Sequence, residues 1–205
     1  MSLNISRFWQ RISLNLQHNS NAGNLSCYDL IRHSFAIIVV STVVGFSTVL
    51  FAEQAEQQGV PANPCYSTDP AMGDSAYWAS TAVRLFAEEN YEAAVATVDA
   101  CFKYWGPPAG QAQKKLRDNE VALPPTGKVS ADMKAKIEKD YLINDVSMAL
   151  WAKARSLHEL KKNELAKQSY ARCLYMEHGR AWDPNGWFWS PAEDCAVHAR
   201  KLARK

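Results

Sequence analysis

The sequence predicts an all-α domain that follows an N-terminal signal or anchor helix. From Asp74 onward, apolar residues recur at helical spacing, and no run alternates apolar and polar residues over a useful strand length. Before that domain, the uncharged run 34–52 is long enough to cross a membrane. We therefore expect a cytoplasmic leader at 1–33, the membrane segment at 34–52, a linker at 53–73 and a helical domain at 74–205.

The charge distribution argues against nucleic-acid binding. The formal net charge is +2, and all of that surplus lies within residues 1–52. The remaining residues carry equal numbers of acidic and basic side chains. A neutral domain lacks the basic surface that phosphate backbones require, so we expect no nucleic acid among its partners.

Residues 34–52 predict that everything after them is exported. As a helix, this run would span about 28 Å, close to the roughly 30 Å of a bilayer's hydrocarbon core. Arg32 precedes the run and Glu53 follows it, so the basic flank is expected to stay in the cytoplasm while the domain enters the periplasm. Two alternatives remain open: a signal peptide cut after Ala52, or an uncleaved anchor that holds the protein on the inner membrane.

The linker leads into the first predicted pair of helices. Residues 53–73 are rich in Gln, Pro, Asn and Gly, as spacers are. Helices are predicted over 74–89 and 91–104, and the second should end at the Gly-Pro-Pro sequence of 106–108, because proline interrupts helical hydrogen bonding. With four prolines, residues 107–129 predict a loop that contains at most one weak helix.

The second half of the domain repeats the helical pattern. Further helices are predicted over 131–140, 145–161 and 164–178, followed by a loop over 179–189. The sequence Ser190-Pro191-Ala192-Glu193 is a capping box with proline at the first helical position. It predicts a last helix that runs to about Ala203.

The two predicted helical hairpins, each an antiparallel pair, align with one another in a single register without gaps. The matched pairs are Ala82 with Ala154, Leu85 with Leu157, Ala94 with Ala166, and Cys101 with Cys173. Small residues recur where two helices would cross closely. A hairpin that cannot bury its apolar face alone is expected to stack on a neighbouring hairpin.

The first unit resembles the tetratricopeptide repeat family. The residues that carry this resemblance are Trp78, Ala82, Leu85, Tyr91, Ala94, Val98 and Cys101. The second unit begins at Leu150 and departs from the pattern at Asn163, where the family has an aromatic residue. An unrelated duplication of a helical hairpin remains an alternative, and a degenerate middle unit over 107–144 remains open.

The resemblance implies binding, because the first helices of such repeats line a concave groove. In the second unit the groove would present Met148, Trp151, Arg155, His158 and Glu159, and in the first unit Ala79, Val83, Phe86 and Ala87. It would hold a protein partner in the cell envelope, so that the chain acts as a scaffold or adaptor. The alternative is that Trp151 and Phe86 simply fill the core.

Four cysteines lie in the part that is expected to be exported, in a compartment where disulfides persist. We favour the pairs Cys65–Cys101 and Cys173–Cys195 among the three possible pairings. Cys27 precedes the membrane segment, on the reducing side. An alternative is that Cys101 and Cys173 are buried, unpaired residues at equivalent helix crossings.

A metal site competes with those disulfides as an interpretation. Cys173, His178, Cys195 and His198 together offer a ligand set that zinc would accept. Their spacing matches no recognised zinc motif, and in an oxidising compartment the cysteines would rather pair. We therefore expect no metal and no cofactor.

An aromatic segment supplies a second functional hypothesis, glycan binding. Asp183-Pro184-Asn185-Gly186 favours a turn, after which Trp187 and Trp189 would lie on one side of an extended strand and Phe188 on the other. The candidate sugar-binding side chains are Trp182, Asp183, Asn185, Trp187 and Trp189. The alternative is that this loop folds back and closes the end of the hairpin stack.

Catalysis is not expected from this sequence. Carboxylates near the aromatic segment, Asp183, Glu193 and Asp194, allow a glycan hydrolase only as a minor alternative. The chain contains neither a nucleophile elbow nor a phosphate-binding glycine loop.

Overall fold

The computed structural model describes residues 63–204, and this part is mostly helical, as predicted. The predicted leader at 1–33, the signal or anchor helix at 34–52 and the first part of the linker lie outside the described residues. None of the described helices is long and apolar enough to cross a membrane.

Six helices and one small β-hairpin make up the described residues. In chain order they are α1 (Asp74–Ala87), α2 (Tyr91–Asp118), α3 (Ala131–Lys139), α4 (Tyr141–Glu159), α5 (Asn163–Tyr175), β1 (Ala181–Asp183), β2 (Trp187–Trp189) and α6 (Pro191–Ala203). The predicted start of α6 is confirmed, since the Ser190 hydroxyl accepts a hydrogen bond from the Glu193 amide at 3.3 Å.

The second helix does not end at Gly106-Pro107-Pro108, and the prediction of a loop from residue 107 is wrong. α2 continues through both prolines to Asp118. Proline inside a helix costs about 3 kcal/mol, but here tertiary contacts outweigh that cost. Ala109, directly after the prolines, and Gln113, about a turn further on, are fully buried. The Phe102 ring packs over Gly106 on the same helix, where a Cβ would lie 2.4 Å from its Cζ, so a larger residue at 106 would displace this ring.

Helix α4 lies at the centre of the fold and packs against α1, α2, α5 and α6. Ten of its 19 residues are buried, so little of its surface remains free. The two helix pairs, α1–α2 and α4–α5, each pack across a short turn. Trp78 of α1 is buried completely, and its indole N–H donates to the Thr97 carbonyl of α2 at 2.9 Å.

Positions that the sequence alignment matches have the same burial in the two hairpins. Ala82 and Ala154 are both 0% exposed, as are Cys101 and Cys173. The turns match as well. Glu89 and Lys161 adopt left-handed backbone angles, with φ of 60° and 59°, and the following amides each bond back to the carbonyl of Leu85 or Leu157 at 2.9 Å. The two hairpins therefore share the same burial at these positions and the same turn geometry.

Both predicted disulfides are confirmed. Cys65 is bonded to Cys101 and Cys173 to Cys195, which joins the segment before α1 to α2 and joins α5 to α6. The alternative of unpaired buried cysteines is therefore wrong. The zinc alternative also loses its two sulfur ligands, because both are consumed in one disulfide.

Two buried side chains just before the β-hairpin, His178 and Arg180, form hydrogen bonds to α2 or to the loop after it. The His178 ring accepts a hydrogen bond at Nδ1 from Gln113 of α2, at 2.8 Å, and its Nε2 lies 2.9 Å from the Val121 carbonyl. The Arg180 guanidinium donates to the carbonyls of Pro124, Glu177 and Gly179. Burial lowers the pKa of this guanidinium. These bonds hold the long α2 helix and the loop after it against the second hairpin.

Candidate functional site

A cleft with a volume of about 470 Å³ lies between α4 and α6, near their C-terminal ends. Its lining residues are Arg155, His158 and Glu159 of α4, Lys161 of the following turn, His198 and Lys201 of α6, and Arg204. Three of the five side chains that the sequence predicted for the groove of the second unit therefore meet here, whereas Ala79 and Val83, predicted for the first unit, are buried in the core. The α6 side chains complete the cleft, and the repeat pattern gave no indication of them.

The other two predicted groove residues lie elsewhere. Trp151 is only 1% exposed, and its ring packs edge-on against Phe86 at 5.1 Å and Trp189 at 5.4 Å. Met148 is partly buried and also packs against the core. Trp151 thus fills the core, as the alternative interpretation expected, because α6 and β2 cover the face of α4 on which it lies. It is not accessible to a partner.

Asp194 of α6 organises the inner end of the cleft. Its Oδ2 accepts hydrogen bonds from the Trp151 indole at 2.7 Å and from Arg155 Nη1 at 3.2 Å. Its Oδ1 lies 3.7 Å from His198 Nε2. One carboxylate therefore connects the core to both walls of the cleft. A carboxylate that is this well paired also orients the guanidinium of Arg155.

Two imidazole rings meet in the cleft. The rings of His158 and His198 are 6.3 Å apart, and Nδ1 of His158 is 3.0 Å from the Tyr170 hydroxyl. Burial, assisted by the positive charges of Arg155 and Lys201, lowers the pKa of His198 to about 4, although Asp194 acts in the opposite direction. His198 is therefore neutral near pH 7. Burial raises the pKa of Tyr170.

The lining of the cleft is strongly basic, although residues 53–205 as a whole carry no net charge. Its basic side chains are Arg155, Lys161, Lys201 and Arg204, whereas Glu159 is the one acidic side chain among the lining residues. Even with Asp194 included, cations outnumber carboxylates at this site. Of these cations only Arg155 is half-buried, whereas Lys161, Lys201 and Arg204 are exposed at the opening of the cleft, so salt should weaken the positive potential there.

The aromatic segment forms a β-hairpin with Trp182 opposite Phe188 and Asp183 opposite Trp187. The predicted alternation is present: Phe188 is buried, and its two tryptophan neighbours, Trp187 and Trp189, are half-buried. Trp189 packs against Trp151, so this residue contributes to the core. Trp182 is 36% exposed, and the Lys134 amine lies 4.3 Å from its ring centroid.

Asp183 and Asn185 shape the turn of this hairpin. Asp183 is 3% exposed, and its Oδ1 accepts hydrogen bonds from both the backbone amide and the side-chain amide of Asn185, each at 2.8 Å. This is the side-chain turn that aspartate typically makes. The expectation that Asp183 contacts a sugar is therefore corrected, since its carboxylate is buried in the turn.

No group of three or more metal-ligating side chains occurs within residues 63–204. Comparison of the chain with protein-family models, with curated proteins and with solved structures found no match. The function must therefore be inferred from the residues of the molecule itself, and the cleft between α4 and α6 is the strongest site for that purpose.

Proposed function

We propose that this protein is an exported adaptor with tetratricopeptide-like stacking, which binds a protein partner in the cell envelope through the α4–α6 cleft. Two structural observations support this proposal. The two hairpins match in burial and in turn geometry at aligned positions, as stacked repeats do. Two disulfides suit an oxidising compartment such as the periplasm.

The observation that carries the proposal is the cleft itself. Its volume of about 470 Å³ suits a few side chains of a peptide segment. Its walls are helices, and the guanidinium of Arg155 is oriented by the carboxylate of Asp194. Groups that are held in place before binding lose little conformational freedom when a partner arrives.

Site-specific cross-linking would test this role. A photoreactive residue at Lys201, in the cleft, should capture a partner from envelope extract, whereas the same residue at Lys114, on the exposed side of α2, should not. The captured protein would then be purified and its affinity measured against charge-reversed variants. We expect Lys201→Glu and Arg204→Glu each to weaken binding at least about tenfold, because charges within a desolvated contact typically contribute this much.

Lys114→Glu changes the net charge equally and serves as the matched control. It should bind within about twofold of the parent protein, since an exposed charge outside the interface affects mainly the association rate. If the two cleft variants bind as tightly as this control, the cleft is not the binding site and the proposal fails.

A second candidate is glycan binding through the aromatic hairpin, and the exposure of Trp182 favours it. A partly exposed tryptophan ring beside a polar turn can contact a sugar ring. Sedimentation with insoluble cell-wall glycan would test this role. Loss of co-sedimentation in Trp182→Ala, with retention in Lys201→Glu, would favour the hairpin over the cleft.

A further inference from the structure

We propose that the cleft is an anion site that holds a carboxylate of the partner, and that His198, whose ring lies 6.3 Å from that of His158, takes up a proton when this carboxylate binds. Binding would therefore become tighter as the pH falls. This inference rests on the proposed function and deepens it, because it names the chemical group that the cleft recognises and a condition that regulates its affinity.

The charge of the lining selects an anion. Lys161, Lys201 and Arg204 surround the opening, and Arg155 lies deeper, with a side chain that is 13% exposed. Glu159 is the only carboxylate among the lining residues, so a bound anion would meet several cations for each like charge. Charge-assisted hydrogen bonds from such groups are stronger than neutral ones.

Arg155 retains hydrogen-bonding capacity. Within residues 63–204 its guanidinium makes one hydrogen bond, to Asp194 at 3.2 Å, and its buried Nε–H has no partner. A planar guanidinium offers five donors in a fixed fork, which matches the two oxygens of a carboxylate. A small rotation of this side chain would offer its remaining donors to a carboxylate in the cleft.

The proton linkage follows from the groups that face His198. They are Arg155, His158 and Glu159 of α4, Tyr170 of α5 behind His158, Lys161 and Arg204, and Asp194 and Lys201 of its own helix. Burial and the neighbouring cations keep His198 neutral, with its pKa lowered to about 4. A bound carboxylate adds a negative charge, which favours the imidazolium form.

Linkage is reciprocal, so if the carboxylate favours protonation, protonation must favour the carboxylate by the same factor. Uptake of one proton tightens binding by at most about tenfold per pH unit. Carboxylates of a partner have typical pKa values of about 3.9 to 4.3, so they remain largely charged between about pH 7.5 and pH 5.5. A bound carboxylate that raises the pKa of His198 from about 4 to near the ordinary histidine value of about 6.5 makes the affinity rise between about pH 7.5 and pH 5.5.

The test uses the full chain and a fluorescent peptide of four glutamates, with either a free or an amidated C-terminus. Anisotropy at low salt gives the affinity at about pH 7.5 and pH 5.5. We expect binding about threefold to tenfold tighter at the lower pH, and no binding of a peptide of four glutamines whose C-terminus is amidated, because that peptide has no carboxylate. If the amidated peptide binds equally, side-chain carboxylates are the anchor; if only the free acid binds, the chain end is. Both results support a carboxylate site.

Matched variants make the result specific. Lys201→Met should weaken peptide binding about fivefold or more, whereas Lys114→Met, which removes the same charge from an exposed site on α2, should leave it unchanged. His198→Gln should lose most of the pH dependence, measured as the ratio of the peptide affinities at pH 5.5 and pH 7.5. Circular dichroism and thermal unfolding would verify that each variant is folded.

The inference is overturned if Lys201→Met binds the glutamate peptide as well as the parent does, or if His198→Gln keeps the full pH dependence. If the peptide fails to bind while capture of the partner still requires Lys201 and Arg204, the carboxylate inference fails and the adaptor role stands. If the peptide fails to bind and capture of the partner does not require Lys201 and Arg204, both proposals are refuted.

Discussion

Replacing Asp145 by asparagine should stabilise the protein at neutral pH. Asp145 lies on α4, and its Oδ2 accepts a hydrogen bond from the Ser75 hydroxyl of α1 at 2.7 Å. Burial raises the pKa of this carboxyl from 3.8 to about 6, even though the Ser75 hydrogen bond acts in the opposite direction. The folded protein therefore carries a carboxylate that would be better solvated in the unfolded chain.

The size of the effect follows from that difference in pKa. A rise from 3.8 to about 6 corresponds to about 3 kcal/mol of free energy for ionising the folded protein. Because the pKa is raised in the folded state, this contribution to stability is complete below about pH 3.8 and is lost as the pH rises through about 6. Asparagine offers Ser75 the same acceptor oxygen and does not ionise. Asp145→Asn should thus add about 2–3 kcal/mol at pH 8 and almost nothing at pH 4.

Urea unfolding, followed by tryptophan fluorescence at several pH values with the disulfides intact, measures this difference. Asp118→Asn is a suitable control, because the ion pair of Asp118 with Lys114 is exposed and should contribute little at any pH. Equal free energies of unfolding for Asp145→Asn and the parent at pH 8 would refute the reasoning. So would a stabilisation of the same size at pH 4 and pH 8.

Three further predictions concern stability. Replacing both Cys173 and Cys195 by serine should lower the free energy of unfolding by about 3 kcal/mol, measured by urea titration, because a loop of 22 residues is no longer closed; an unchanged midpoint would contradict this. Because the pKa of His198 is lowered, the folded state loses stability as the pH falls from 6.5 towards about 4. Over this pH range the melting temperature of His198→Gln should therefore decrease less than that of the parent protein. Lys161→Gly should increase the free energy of unfolding by about 0.5–1 kcal/mol and so raise the melting temperature, because Lys161 has φ of 59°, which glycine adopts without strain. A lower melting temperature would count against this prediction.

Local sequence rules predicted most of the helices, but they failed where distant contacts decide the outcome. The capping box at Ser190 depends on neighbouring residues alone, so the start of α6 was predictable. Pro107 and Pro108 signal a helix end by the same local logic, yet α2 continues. Among the contacts that hold this part of α2 is the hydrogen bond between Gln113 and His178, which are 65 residues apart, and no local pattern reveals it.

The candidate site was predictable in part for the same reason. Helical periodicity placed Arg155, His158 and Glu159 on one face of α4, and these residues do line the cleft. Periodicity did not show which helix would cover Trp151. A usable signal was present, however, because the predicted Cys173–Cys195 pair brings α6 to the second hairpin, and His198 lies one helical turn after Cys195, on the same face of that helix.

The length of α2 has a consequence for how the molecule unfolds. At 28 residues the helix is about 42 Å long, twice the length of its partner α1, and its far half bonds to His178 beyond the second hairpin. A stack whose units touch only their neighbours can fray one unit at a time. Here one helix, α2, contacts both hairpins, so local unfolding of either hairpin removes packing contacts from the other. Melting should therefore proceed as one cooperative event, without a half-folded species in which one hairpin persists alone.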